Sequence, residues 1–353
     1  MKKIIICVCF FLIICKPLVA EAEEVYDLID KIESPEGYDA KEVTKNALEG
    51  EVPLAFSKVL ESVLSLFFDG IRDNIPNIIK LTAIAVLSGL VLNLGGEKNE
   101  AGAFAAVAIA ATICIKSLTY AVNLAVETID TLFLFIGSMM TPITTAASTG
   151  AVATGTVAVS TFSAMQAFIY ICKSVLLPLI CVITVFSVCD KIGETSYLGG
   201  VSSILKQILK WGTGFMITIY SVVIGLQTQT AASLDSLAGK SMKYAVGSFV
   251  PVVGATLSDS LETVIAGAKT VTSALGVSGI IGVGYICCVP LINICTVSIC
   301  FRLSSAIASV ASQKRVSLVI EEFSKSIGSI SLVLLSVATM FIISLAMLCS
   351  FGR

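Results

Sequence analysis

Histidine is absent from all 353 residues, tryptophan occurs once, and only 14% of the chain is charged. Without histidine the chain lacks the commonest general base, the usual nitrogen ligand for metals and the one side chain that changes charge unaided near neutral pH. The shortage of charge excludes more. Hydrophobic residues make up 56% of the chain, and a water-soluble fold of this length has no interior large enough to hide them. The stretches 131–172, 270–301 and 326–352 contain no Asp, Glu, Lys or Arg at all. A spanning helix needs about 20 mostly apolar residues, so the bilayer is the solvent for most of the molecule. A net charge of −2 offers no basic field for nucleic acid. The composition predicts an all-α, polytopic helical membrane protein with membrane lipid as its first partner.

Cysteine is what the chain has in plenty, with 12 copies. Cys7, Cys9 and Cys15 lie in the first apolar run, and Cys114, Cys172, Cys181, Cys189, Cys287, Cys288, Cys295, Cys300 and Cys349 lie in or at the ends of later ones. None has a CxxC spacing with polar flanks, so they read as small hydrophobes rather than as a metal or disulfide framework. No metal or cofactor is expected.

Residues 1–22 read as a secretory signal. Lys2 and Lys3 form the positive start, Ile4 to Ile14 the apolar stretch, and Leu18 to Ala22 the small-residue exit, with cleavage after Ala20 or Ala22. An uncleaved anchor would export the next segment equally. Residues 23–74 then form an exported acidic arm and an amphipathic helix. In that helix Phe56, Val59, Leu60, Val63, Leu64, Phe67 and Ile71 repeat at three and four. Its apolar face suits either the lipid boundary or the bundle.

The multispanning domain, 75–353, offers candidate spans at 75–94, 102–121, 131–148, 152–172, 174–189, 208–227, 274–301 and 327–350. The loops 190–210 and 302–326 are basic and should be cytoplasmic by the positive-inside rule. This leaves 228–270 and the C-terminus outside. An internal echo agrees with that arrangement: Leu177-Pro178-Leu179-Ile180 resembles Val289-Pro290-Leu291-Ile292, within possible repeats 131–227 and 240–350. Pro76 starts a weaker third copy. The pattern predicts a duplicated helical-hairpin unit, with re-entrant or interfacial helices in 131–172 and 240–285.

The exterior segment 228–270 interrupts an otherwise apolar half. Pro251 and Gly254 break regular helix there, and Asp259 and Glu262 share one polar side of the turn that follows. With Phe249 they form the candidate partner-docking surface or pore lip. A surface helix with solvated carboxylates is the plainer reading. Lys80 and Lys116 read as side chains that snorkel to the headgroups. Gly276, Gly279, Gly282 and Gly284 lack the strand-to-helix setting of a nucleotide loop and read as close-packing positions. No catalytic residue stands out.

The segment Lys240 to Ile265 resembles the stage III sporulation protein AE family of endospore-forming Gram-positive bacteria. The resemblance is strongest at Phe249-Val250-Pro251-Val252-Val253-Gly254 followed by Ser258-Asp259, and continues through Gly276 to Pro290 into the last two spans. It implies a non-enzymatic membrane subunit of the secretion-like channel that joins mother cell and forespore during engulfment. It also implies residence in the outer forespore membrane and partners from the same operon, including an ATPase, ring-forming subunits and a forespore membrane protein. A self-sufficient secondary transporter or permease is the alternative, and it requires a polar binding cluster at mid-depth. An intramembrane protease would need an Asp pair or a histidine motif that the spans lack.

Overall fold

The computed structural model describes residues 52–95, 100–148, 152–192, 198–249, 254–310 and 314–350. All the regular structure among them is helical. We number the helices α1 (Val52–Gly95), α2 (Glu100–Ser148), α3 (Val152–Ile171), α4 (Leu177–Ile192), α5 (Gly199–Phe249), α6 (Gly254–Val310) and α7 (Lys314–Ser350). A π-helical turn, Cys172–Leu176, joins α3 to α4, so these two form one rod. The Leu177 N–H donates to the Cys172 carbonyl, five residues back. Pro178 follows at once, and the wider turn makes room for a ring that would otherwise strike the preceding turn.

Five stretches are long and apolar enough to cross a membrane: Phe104–Met139, Val159–Ile192, Gly199–Gln227, Gly279–Val310 and Arg315–Met347. The polytopic all-α class is therefore as expected, while several boundaries differ. The expected spans 102–121 and 131–148 are one helix, α2, and 152–172 and 174–189 are one rod. The amphipathic segment and the span 75–94 likewise merge into α1, with Pro76 inside it. Helix α6 runs unbroken from Gly254 through Pro290 to Val310. Isolated charges do not end a helix, because a neighbouring helix can pair with them. Asp130 on α2 is bridged at 2.6 Å by Lys173 of the π-turn. At about 1.5 Å rise per residue, the 49 residues of α2 exceed the hydrocarbon thickness of about 30 Å. The rods therefore continue beyond the bilayer core.

Contacts between rods fix their directions. Ser298 pairs with Ser324 and Ser305 with Ser317, so α6 and α7 are antiparallel. Ser160 meets Gln227 and Phe168 meets Tyr220, which sets α3 against α5. Lys206 meets Glu322 and Tyr220 meets Ser344, so α5 and α7 are parallel. Gly279 and Gly282 of α6 face Met139 and Phe135 of α2, again in opposite senses. Helix α7 is central. It packs on α2, α3, α4, α5 and most extensively α6, and buries Val316, Ile320, Phe323, Ile327, Leu334 and Phe341. Helix α5 is peripheral and exposes Ile204, Ile208, Trp211, Phe215 and Leu226, a face suited to lipid.

The signal sequence and the acidic arm to residue 50 lie outside the described residues, as does Pro251. Helix α5 is described to Phe249 and α6 from Gly254, so the helix break expected at Pro251 lies outside the described residues.

Candidate functional site

Polar side chains meet in a cavity of about 470 Å³ between α1, α2 and α6. Helix α1 contributes Gly70, Asp73, Asn74, Asn77 and Lys80, α2 contributes Ile113, Lys116, Ser117 and Tyr120, and α6 contributes Asn293 and Val297. On α1 these positions recur at three and four, so one helical face carries them. The same face is buried by Gly70, Leu81 and Ala85. Asn74 and Asn77 are half-buried on that face, while Asp73 and Lys80 stay exposed at its edge.

Close approach at Gly70 brings α1 and α6 together. A Cβ there would lie 3.3 Å from both Cγ2 and Oγ1 of Thr296, and Thr296 is fully buried. Asn74 donates from Nδ2 to the Gly70 carbonyl at 2.8 Å, and Asn77 donates to Asn74 Oδ1 at 3.5 Å. Pro76 lies between these two amides, and Pro290 lies one turn from Asn293. Each proline removes a backbone N–H and leaves a carbonyl one turn earlier without its helical donor. In a bilayer such groups need other partners or water.

Several lysines of the bundle close on carboxylates, Lys173 on Asp130 at 2.6 Å, Lys206 on Glu322 at 2.5 Å and Lys325 on Glu321 at 2.9 Å, while exposed Lys210 closes on none among the described residues. Lys80 and Lys116 form no such pair among the described residues. With Asp73 they give the lining a formal charge of +1. Ionisable side chains within membrane helices are costly, and they usually face a bundle interior or a wet cavity where they serve transport or binding. The arrangement can hold water and an anion. It has no nucleophile poised against a base, and no group of three metal-ligating side chains occurs among the described residues.

The expected docking residues are not brought into this site. Phe249, Gly254, Asp259 and Glu262 lie on helices whose side chains are outside the described residues there. Lys80 and Lys116, expected to reach the headgroups, are both exposed and line the same cavity. Asn293 stands as a carboxamide in a charge-free run, a signal that charge counting passes over.

A comparison with protein families matches the stage III sporulation protein AE model over residues 38–352. This chain belongs to that family. The match takes in every helix from α1 to α7. A curated relative, the stage III sporulation protein AE of Bacillus subtilis (strain 168), is 23% identical over 318 residues, covering 87% of this chain and 78% of the relative. No solved structure matches. The family is thus one of sporulation proteins, and its member here is a multi-pass helical membrane protein by its five apolar helices.

Proposed function

We propose that this chain is a non-enzymatic membrane subunit of the channel complex between mother cell and forespore. On this reading it resides in the outer forespore membrane, with 228–270 facing the space between the two membranes. Ring-forming subunits and a forespore membrane protein would meet it there, and an ATPase would act from the mother-cell side. The observation that carries the reading is the family match across 38–352, supported by five helices long and apolar enough to cross a membrane. The docking surface assigned to Phe249, Pro251, Gly254, Asp259 and Glu262 is tested by the double variant Asp259→Ala/Glu262→Ala. Membrane levels should stay near wild type, while ring subunits recovered with the protein from sporulating cells should fall several-fold. Unchanged recovery together with normal sporulation would remove the docking assignment.

A self-sufficient secondary transporter is the second reading, and the polar cavity between α1, α2 and α6 is the observation that favours it. Recovery of the chain alone from sporulating cells, with no fixed stoichiometry of partners, would support it. Recovery in constant ratio with ring subunits would set it aside.

A further inference from the structure

We propose that the cavity between α1, α2 and α6 binds a phosphate group, carried either by a phospholipid headgroup or by a small soluble phosphate. The inference concerns this chain's own side chains and holds whichever larger assembly contains it. Lys80 and Lys116 line the cavity from different helices, both exposed and neither with a carboxylate partner among the described residues. Like charges converging on one space repel, and an anion between them removes that repulsion. Asp73 lowers the lining charge to +1, which a phosphodiester of charge −1 balances.

Donor count points the same way. Each ammonium offers three N–H donors and no acceptor. The Asn293 amide and the Ser117 hydroxyl add donors from α6 and α2, the Ser117 hydroxyl also being able to accept. The amides of Asn74 and Asn77 each use one N–H within α1 and keep a second that can serve the cavity. A tetrahedral group with several acceptor oxygens suits donors arriving from three helices better than a flat carboxylate does. The cavity volume of about 470 Å³ falls in the range of small-ligand sites, about 300–1,000 Å³. It exceeds what one water needs and leaves room for a headgroup fragment.

The test measures amine acetylation of the full-length protein by mass spectrometry, comparing Lys80 and Lys116 with exposed Lys210 as internal reference. In detergent, inorganic phosphate or glycerol phosphate is titrated against chloride of equal ionic strength. In nanodiscs, phosphatidylglycerol is compared with a galactosyl diacylglycerol that has no phosphate. Slowing of at least fivefold at Lys80 and Lys116, but not at Lys210, on addition of soluble phosphate identifies a soluble ligand. The same protection confined to phosphatidylglycerol nanodiscs identifies a headgroup. Equal reactivity under every condition overturns the proposal. Because the wild-type protein is measured, a misfolded variant cannot obscure the answer. Asn293→Ala supplies the positional check: it should reduce the protection at least threefold, and full retention would place the anion elsewhere and overturn this site.

Discussion

Ser298 and Ser324 exchange hydrogen bonds across the α6–α7 hairpin: the Ser298 hydroxyl donates to the Ser324 carbonyl at 2.9 Å, and the Ser324 hydroxyl donates to the Ser298 carbonyl at 2.7 Å. One heptad toward the hairpin connection, Ser305 and Ser317 repeat the exchange, at 2.9 Å in each direction. Two reciprocal pairs hold the helices at one register and one separation. Apolar packing alone could not do this in lipid, where tails are as apolar as leucine.

The serine pairs predict two effects that differ in size. Removing a hydroxyl with Ser324→Ala should cost about 0.6–1.7 kcal/mol, the range for interhelical hydrogen bonds in membranes. Ser324→Leu should cost more, about 1–3 kcal/mol, because Ser324 is buried between helices with no room for added methylenes. Thermal unfolding in detergent would rank the two. A leucine variant as stable as the alanine variant would contradict the close approach.

Gly70 predicts a coupling between α1 and α6. Gly70→Ala places its new methyl 3.3 Å from the fully buried Thr296, whose hydroxyl is held by the Ile292 carbonyl at 2.7 Å, and Gly70→Val crowds it further. The alanine variant should be destabilised, by about 1 kcal/mol or more on the scale of overpacking. Adding Thr296→Ala removes both of the nearest atoms and should recover part of the loss. A double-mutant cycle reads this as non-additivity, and strictly additive effects would show that the two positions do not touch.

How much of this was legible in the chain depends on the kind of signal. Long apolar runs announce helices in lipid, and five stretches of the chain are long and apolar enough to be such helices. Span boundaries drawn at charges fail where a charge finds a partner far along the chain. Asp130 and Lys173 are such a pair, and they remove the reason for ending a helix near 130 or 173. The cavity was hidden for a related reason. Lys80, Lys116 and Asn293 are far apart in sequence, and only the packing of α1, α2 and α6 brings them to one space. Ser317, Ser324 and Ser331 do repeat every seven residues, yet their partners on α6 follow from the hairpin's register.

Glu322 predicts a charge-dependent link between α5 and α7. Its carboxylate is 5% exposed and accepts from Lys206 at 2.5 Å and from Lys325 at 3.0 Å. Breaking a fully buried pair costs about 3–5 kcal/mol. Both ammoniums here are more than a third exposed, so screening should reduce the loss in Glu322→Ala to about 1–2 kcal/mol. The charge-exchanged variant Lys206→Glu/Glu322→Lys should regain part of it, although Lys325 then faces a like charge. The readout is the unfolding midpoint at low and high salt. A Glu322→Ala midpoint equal to wild type would mean that the pair adds nothing to the α5–α7 contact.

Helix directions predict the sidedness of the chain. With α2, α5 and α7 running one way and the α3–α4 rod and α6 the other, the connections at 193–197 and 311–313 fall at the same end of the bundle. Lys191, Lys206, Lys210, Arg302, Lys314, Arg315 and Lys325 cluster near those two connections. Lys240, Lys243 and Lys269 are the only basic residues between 228 and 270, toward the opposite end. The positive-inside bias therefore puts the first end in the cytoplasm. Residue 353 then follows an outward helix and should lie outside the cytoplasm. A reporter that fluoresces only in the cytoplasm, fused after Arg353, should be dark, and the same reporter inserted at 311–313 should be bright. A bright fusion after Arg353 would mean that the number of crossings is odd from the exported side, and one of the rods would then have to lie along the membrane instead of through it.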